Sequence, residues 1–328
     1  MRLVSALVRA VLVLGALGAA ALAIVGLFGS LVPELDLINH FQILLLPATV
    51  VGLVVLALAL RAPVRSAALV FAIAGLAASA SIVVPEALAA RRNLTPEPAE
   101  GTVRLMTHNL FGMNYEMERV VAAIMAEDPD VIVFQEYFGE QATDLHPLLL
   151  AKYPFFVRCR GGKRANLGLY SRLPFSQLDE DACPNDAYGA ERTAHILAEV
   201  TLDGDKTFLV LTSHMDWPYP VARQREQLEH LAAVVARAEG PLVVAGDFNS
   251  TPWSYALRRF VAETGLTRET LSLFTFPMRF HYFGAWRDTL PFLPLDQVLT
   301  RGVNVHSVET GGRTASDHLP VVVEFSVE

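Results

Sequence analysis

The sequence predicts an α/β domain in which two β-sheets pack face to face between outer helices, preceded by three transmembrane helices. Three observations lead to this prediction. The first 92 residues contain three long uncharged stretches, the remainder alternates short apolar runs with amphipathic ones, and polar side chains cluster where several apolar runs end. Short strands mixed with covering helices are typical of a layered α/β architecture.

The start of the chain has three uncharged stretches that are long enough to cross a membrane: residues 10–32, 41–60 and 66–85. A hydrocarbon core requires about 20 apolar residues. A signal peptide would be followed by polar mature sequence, and buried core helices would show a charged face; the sequence has neither pattern. We therefore predict a membrane anchor over residues 1–92.

The arginines near these stretches predict an orientation. Four arginines lie at the amino terminus and in the second loop, whereas the first loop, residues 33–40, has two acidic side chains and no Lys or Arg. The positive-inside rule then places the amino terminus in the cytoplasm and the domain after the third span outside. Arg91 and Arg92 favour the opposite orientation. The expectation is a multi-pass protein of the cytoplasmic membrane with its large domain on the periplasmic or extracellular side.

A Pro- and Glu-rich linker over residues 93–101 separates the anchor from a domain over residues 102–328. Six of the 26 Lys and Arg and three of the 34 Asp and Glu precede residue 97, so the rest of the chain has a net charge of −11. Binding to nucleic acid depends on neutralising phosphates with Lys and Arg. Nucleic acid is therefore a disfavoured substrate.

The only two cysteines, Cys159 and Cys183, fall in the domain that is predicted to lie outside. An oxidising compartment would allow them to pair. Two separate thiols remain an alternative, because sequence spacing does not fix the distance between two Cα atoms.

Apolar periodicity assigns the elements of the large domain in order. Longer amphipathic stretches predict helices at 116–127, 144–152, 221–238 and 253–260. Short runs rich in β-branched residues predict strands at 103–109, 131–135, 155–158, 167–171, 195–202, 207–213, 242–246, 295–300, 303–308 and 319–325.

Polar side chains stand at the ends of several predicted strands, and one pair is especially informative. Asp247 and Asn249 follow a buried strand, and residues two apart on a strand share a face. Both could therefore be aimed at one reacting group. The alternative is an Asx turn, in which the two side chains cap the loop through its own backbone. Both interpretations can hold together.

Six short motifs, in order, resemble those of the endonuclease/exonuclease/phosphatase superfamily, which has the deoxyribonuclease I-like four-layer fold. The resemblance covers about residues 102–325, and the preceding spans are similar to the membrane-anchored bacterial branch of that superfamily. The motifs are Thr-His-Asn-Leu at Asn109, Phe-Gln-Glu at Glu136, Ser-His-Met-Asp at His214, Gly-Asp-Phe-Asn at Asp247 and Asn249, Leu-Asp-Gln-Val at Asp296, and Ser-Asp-His-Leu-Pro at Asp317 and His318.

The resemblance implies phosphate-ester hydrolysis with a divalent metal. Glu136 would be the first metal ligand, with Asn109 beside it and Asp317 at the metal or supporting the base. Mg²⁺ suits carboxylate, water and phosphate oxygens, and Mn²⁺ is an alternative ion. Taken alone, each of these acids would read as a solvated carboxylate at a strand end.

The resemblance also implies roles in the chemical step. Asp247 would orient and deprotonate the attacking water, and Asn249 would fix the water or the phosphate. His214 and His318 would donate to the phosphoryl oxygens as protonated imidazoles, and Asp296 would hold His318 and raise its pKa.

Two further residues, Arg192 and Asn166, precede strands where related enzymes contact substrate, although Arg192 could equally be a surface charge. The region 274–293 is rich in Phe, Tyr, Trp and Pro. Its aromatic residues suggest contact with a lipid-linked substrate, since Trp and Tyr favour membrane interfaces. A buried aromatic cluster is the alternative.

The resulting prediction is a membrane-anchored, Mg²⁺-dependent phosphoesterase whose substrate is a phosphorylated lipid or small molecule. A metal-dependent nuclease of the same fold and a catalytically silent, membrane-tethered binding module are the alternatives. Nothing in the sequence implies a protein partner.

Overall fold

The computed structural model describes residues 2–92, 101–183, 193–202, 204 and 206–327. Residues 93–100 of the predicted linker and Arg192 lie outside the described residues. The chain forms two compact units. The first comprises Met1–Arg92 together with Thr251–Arg259, and the second comprises Asn93–Ser250 and Phe260–Glu328.

The first unit is helical. Three of its helices are long and apolar enough to span a membrane, over Val4–Ser30, Gln42–Ala59 and Val64–Ala89, as the sequence predicted. A short helical segment lies between the first and second of them. In chain order the α-helices are α1 (Arg2–Gly26), α2 (Asp36–Asn39), α3 (Gln42–Ala59) and α4 (Val64–Ala89).

Small residues bring the long helices of this unit close together. A Cβ added to Gly75 would lie 2.5 Å from the Cα of Ala20, and one added to Gly52 would lie 3.1 Å from the Cβ of Ala16. Close approach through small side chains is the usual basis of helix packing in lipid, where the hydrophobic effect no longer drives association. This packing supports the interpretation of the first unit as a membrane anchor.

The second unit contains two six-stranded sheets and a two-stranded hairpin. The strands are β1 (Thr102–Asn109), β2 (Val131–Gln135), β3 (Phe155–Cys159), β4 (Leu167–Ser171), β5 (Phe175–Leu178), β6 (His195–Thr201), β7 (Thr207–His214), β8 (Leu242–Asp247), β9 (Thr267–Arg268), β10 (Arg279–Tyr282), β11 (Ala285–Asp288), β12 (Asp296–Arg301), β13 (Val303–Thr310) and β14 (Val321–Val327). The further helices of the chain are α5 (Met117–Glu127), α6 (Gly139–Leu149), α7 (Val221–Arg237) and α8 (Tyr255–Thr264).

The two sheets pack face to face, as predicted. Their strand orders are β13-β14-β1-β2-β4-β3 and β5-β6-β7-β8-β12-β9. One continuous core joins buried side chains of both sheets, such as Leu105 and Val133 from the first and Val210 and Val243 from the second. Both cysteines belong to this core as free thiols, and the Cys159 thiol donates to the Gly161 carbonyl at 3.6 Å.

Helix α6 shows how a local side chain changes a boundary. The helix begins at Gly139, five residues before the predicted start. The Gln141 side chain accepts a hydrogen bond from the Phe138 N–H at 3.0 Å, which caps the earlier first turn. Sequence periodicity did not predict the short strands β5 and β9 or the β10–β11 hairpin either.

Strand direction brings the polar strand ends together. Strands β1 and β2 are parallel, and so are β7 and β8. Asn109 is therefore level with Gln135, and His214 is level with Asp247. Strand β12 runs antiparallel to β8, so its first residue, Asp296, also faces Asp247.

Candidate active site

Asp247 lies at the centre of the converging strand ends and is almost completely buried. The Asn109 side-chain amide donates to its Oδ2 at 2.9 Å and approaches Glu136 Oε1 at 3.3 Å. The Gly112 N–H donates to the other Glu136 oxygen at 2.7 Å. Residues from three separate motifs thus form one hydrogen-bonded group.

His214 and Asn249 both lie against Asp247. The His214 Nε2 atom lies 3.5 Å from Asp247 Oδ2 and 3.2 Å from the Asn249 amide nitrogen. The Asn249 amide also donates to the Met215 carbonyl at 2.9 Å, and its backbone N–H donates to Asp247 Oδ1 at 2.8 Å. That last bond is the Asx turn considered as an alternative, so the turn and the site coexist.

His318 approaches the same Asp247 oxygen as His214 and is held by a second carboxylate. Its Nδ1 atom is 2.8 Å from Asp296 Oδ2, and its Nε2 atom is 3.8 Å from Asp247 Oδ2. Burial alone would lower the pKa of His318, but the charges of Asp296 and Asp247 outweigh burial and raise it to about 10. The imidazole is therefore protonated at neutral pH, as the resemblance implied.

His214 differs from that expectation. Burial is the largest effect on its ring, and the positive charges of Arg164 and His318 act in the same direction, so its pKa falls well below 6.5. The ring is neutral at pH 7 and is suited to share one proton with a neighbour rather than to supply a positive charge. The two histidines therefore have different protonation states in one site.

Two acids of the site, Asp247 and Asp317, have raised pKa values. Burial raises the pKa of Asp247 to about 7; Asp296 adds to the shift, whereas His318 opposes it. Burial raises the pKa of Asp317 to about 6; Glu136 adds to the shift, and His318 again opposes it. Carboxyl groups with pKa values near neutrality in a partly enclosed site are typical of acid–base chemistry.

Three of the predicted site residues have a left-handed backbone. Glu136, Asn166 and Asn249 have φ values of 54°, 62° and 47°, in the left-handed region that non-glycine residues seldom adopt. Such conformations persist where the surroundings hold them, and they cluster at functional sites. Residue identity alone did not indicate this feature, apart from the tolerance of Asn for left-handed backbone.

The two predicted substrate contacts have separate outcomes. Asn166 is half-buried, and its carbonyl accepts a hydrogen bond from the Tyr137 N–H at 2.7 Å. Tyr137 directly follows Glu136 in the chain. Arg192 lies outside the described residues, so its role stays a prediction.

Sequence reasoning missed Arg164 and Phe276. Arg164 pairs with Asp216 at 2.6 Å, and the two side chains line a cavity of about 600 Å³. The Phe276 ring lies 4.8 Å from the His318 ring and 5.8 Å from Trp217. Two features of the sequence could have indicated them. Asp216 lies two residues after His214, and residues 274–293 are rich in aromatic side chains.

The described fold and motifs agree with a known family. A family model described as the endonuclease/exonuclease/phosphatase family matches residues 106–318. The chain belongs to the endonuclease/exonuclease/phosphatase family. The match includes every motif residue from Asn109 to His318, and the three activities in the family's name all hydrolyse phosphate esters.

Solved structures of this family share the fold of the second unit. An endonuclease/exonuclease/phosphatase from Beutenbergia cavernae is 22% identical, with a TM-score of 0.53 over 70% of this chain and 72% of that one. An endonuclease/exonuclease/phosphatase from Bacteroides vulgatus is 21% identical, with a TM-score of 0.52 over 70% of this chain and 100% of that one. D. rerio TDP2 complexed with single strand DNA product is 15% identical, with a TM-score of 0.52 over 69% of this chain and 99% of that one. The second unit therefore has the deoxyribonuclease I-like fold.

A curated relative matches a shorter stretch. A UPF0294 protein from Klebsiella pneumoniae is 40% identical over 103 residues, which are 31% of this chain and 35% of that protein. The chain thus spans about a third of the length of this relative.

The site of this endonuclease/exonuclease/phosphatase domain contains suitable ligands for a divalent cation. Asp247, Asp296 and His318 each offer an atom within 4.8 Å of the others. His318 is the weakest of these candidates, because its pKa of about 10 keeps its ring protonated. Asn249 Oδ1 and Asp296 Oδ1 are buried and have no hydrogen-bond partner among the described residues. Buried acceptors without donors fit a site that takes a cation, a water or a substrate hydroxyl.

Proposed function

We propose that this protein is a membrane-anchored, metal-dependent phosphoesterase that hydrolyses a phosphate ester of a lipid-linked or small-molecule substrate. The observation that carries the proposal is the surroundings of Asp247. This carboxylate is buried with a pKa of about 7, between a neutral His214 and a protonated His318. A base and an acid of this kind are what hydrolysis by an activated water requires.

In the proposed mechanism, Asp247 accepts a proton from the attacking water. Asn109 and the Asn249 N–H hold the carboxylate in place at 2.9 and 2.8 Å. The protonated His318, held by Asp296, donates to a phosphoryl oxygen as negative charge develops there. His214, which lies 3.5 Å from Asp247 Oδ2, and the Asn249 amide beside it are further polar groups of the site.

Glu136, Asn109 and Asp317 are the residues that we propose hold Mg²⁺, with Mn²⁺ as an alternative. When bound, the ion would supply positive charge near the phosphoryl oxygens. Glu136 supports this assignment because its side chain is about a quarter exposed, whereas the Asp247, Asp296 and His318 side chains are almost fully buried and His318 already pairs with both of these acids. Burial raises the pKa of Asp317, and the negative charge of Glu136 adds to the shift.

An exposed aromatic surface supports a lipid-linked substrate. Phe283 is 90% exposed at the turn of the β10–β11 hairpin, and Tyr282 beside it is 56% exposed. The same region contains Phe276, which packs on His318. Exposed aromatic side chains favour the interface between water and lipid, so this surface fits an amphipathic substrate better than a fully soluble one.

The −11 charge of the chain after residue 96 opposes a nuclease function, because long polyanions require a basic groove. The outward orientation of the domain is part of the proposal and rests on the arginines of the first unit. No protein partner is proposed.

The test is a hydrolysis screen of the full-length protein in detergent micelles. The panel contains lipid pyrophosphates, phospholipids, inositol phosphates, nucleotides, plasmid DNA and a chromogenic phosphodiester. We expect turnover that EDTA abolishes and added Mg²⁺ or Mn²⁺ restores. Asp247→Asn should reduce turnover by about 10²- to 10⁴-fold, the usual contribution of a general base.

Asp144→Asn is the matched control, because Asp144 is an exposed carboxylate on α6. It should leave the rate unchanged, and both variants should keep the wild-type melting temperature. Full activity in Asp247→Asn would remove Asp247 from the mechanism. Hydrolysis of plasmid DNA alone would favour the nuclease, and no metal-dependent turnover on any substrate would favour a silent binding module.

A further inference from the structure

The first unit contains a cluster of buried polar residues that its membrane-spanning role does not explain. Asp36, Asn39, His40 and Gln42 have exposed fractions of 6%, 1%, 6% and 0%. Asp36, Asn39 and His40 lie in or directly after the short helix α2, and Gln42 is the first residue of α3. Burying polar groups costs free energy unless they are hydrogen-bonded, so their partners indicate what the cluster does.

The partners of Asp36 are backbone amides from a distant part of the chain. Its Oδ1 accepts from the Tyr255 N–H at 2.6 Å, and its Oδ2 accepts from the Ala256 N–H at 3.0 Å. These amides begin helix α8, where the first N–H groups have no partner within the helix. A carboxylate at this position satisfies two of them and interacts favourably with the helix dipole.

The rest of the cluster holds Asp36 and extends the contact. The Asn39 amide donates to Asp36 Oδ1 at 2.8 Å and to the Gly26 carbonyl at 2.9 Å. His40 Nδ1 lies 3.3 Å from both the backbone nitrogen and the hydroxyl oxygen of Thr251. The polar cluster thus holds the segment Thr251–Arg259 at its first residue and at the start of its helix.

This segment follows the Asp247–Ser250 loop without a break in the chain. The loop is held from within the second unit by Gln224, whose amide donates to the Phe248 and Asn249 carbonyls at 3.2 Å. Gln297 likewise donates to the Ser250 carbonyl at 3.2 Å. Asn249 keeps a left-handed backbone only while its surroundings hold it, and Thr251 is two residues away.

We infer that Asp36 and His40 are positioning residues, which hold the Thr251–Arg259 segment and thereby fix the backbone of the Asp247–Ser250 loop for hydrolysis. The inference rests on the proposed function of that loop. It assigns the first loop of the membrane anchor a direct part in the activity, in addition to tethering.

The number of apolar spans agrees with this inference. Asp36 and His40 lie between the first and second spans, and residue 251 lies beyond the third. With three spans, both stretches are on the same side of the membrane, so their hydrogen bonds can form in the inserted protein. Two spans or four would place them on opposite sides.

The test combines kinetics with amide hydrogen exchange on full-length protein in detergent micelles. We expect Asp36→Ala to lower kcat by about 10- to 100-fold, the effect of a small misplacement of reacting groups, with KM within twofold. The substrate is whichever soluble ester shows Asp247-dependent turnover. The Tyr255 and Ala256 amides should exchange faster in this variant. Asp36→Asn keeps one acceptor oxygen and should be intermediate in both measurements.

Glu34→Ala is the control, because Glu34 is an exposed acid in the same loop, and it should match the wild type. Faster exchange with an unchanged kcat in Asp36→Ala would overturn the inference, and so would unprotected Tyr255 and Ala256 amides in the wild type. A merely structural role would lower the melting temperature and leave kcat of the folded fraction unchanged. An inactive wild type with protected amides would contradict the proposed function, while leaving the contact established.

Discussion

At the residue scale, two neighbouring residues of β1 show how the surroundings of a side chain determine its role. Asn109 belongs to the group around Asp247, whereas the His108 ring bonds to the Thr314 hydroxyl at 2.7 Å. Successive side chains of a strand point to opposite faces, and this alternation separates the two roles. Burial lowers the pKa of His108 to about 3; the charge of Asp296 opposes the shift, and that of His318 adds to it.

His108 should therefore make stability depend on pH. Its pKa in the folded protein is below its unfolded value of 6.5, so the unfolded chain binds the extra proton first as pH falls. The stabilisation is complete above pH 6.5 and declines toward pH 3, with a loss of roughly 2 kcal/mol by pH 5. His108→Gln should remove this part of the pH dependence. Thermal unfolding of both proteins in micelles at pH 7.5 and pH 5 measures it, and equal pH dependence in the two would contradict the assignment.

At the element scale, the β10–β11 hairpin is the clearest departure from what periodicity predicts. Its strands are four residues each and mostly exposed, so no buried stripe marks them in the sequence. The Phe111 and Trp286 rings meet at a centroid distance of 5.2 Å, and Arg279 lies over the Trp286 ring. The aromatic residues of this region thus divide between packing and exposure, and contact with a lipid-linked substrate stays a prediction.

The exposed tip of the hairpin should matter only for substrates presented in lipid. We expect the double variant Tyr282→Ser, Phe283→Ser to hydrolyse a lipid substrate in vesicles about tenfold more slowly than the wild type. The reason is that two exposed aromatic side chains no longer enter the interface. Turnover of a soluble chromogenic ester should stay the same. Leu148→Ser, which removes an exposed apolar side chain from α6, is the control. An equal loss on both substrates would argue against a role in lipid contact.

At the scale of the whole molecule, the proposed topology of three spans with an outward domain predicts which loops share a side of the membrane. The first loop and the large domain should be outside, and the second loop should be inside. Glu34, Asp144 and Arg61 are exposed and lie in the first loop, the large domain and the second loop, respectively. Each is replaced by a single cysteine in a Cys159→Ala, Cys183→Ala background. A membrane-impermeant maleimide should label the first two in intact cells and Arg61→Cys only after lysis. Labelling of Arg61→Cys alone in intact cells would reverse the orientation.

The sequence by itself determined most of the elements and indicated candidate residues for the site. Hydropathy located the three spans, and period-two runs located most strands, because both signals are local. Asn109, Glu136, His214, Asp247 and Asp296 stand at the ends of strands, so the sheet topology brings them together once the strands pair. The motif order then indicated the family before any distance was known.

Only the tertiary structure decided the protonation states and the backbone conformations of those residues. His214 and His318 have the same side chain, but Arg164 and burial keep one neutral while Asp296 and Asp247 keep the other charged. The left-handed backbone at Glu136 and Asn249 and the bonds from Asp36 to residues 255 and 256 depend on partners far away in sequence. Charge, burial and strain are set by everything within several ångströms of an atom, and a linear pattern does not contain that information.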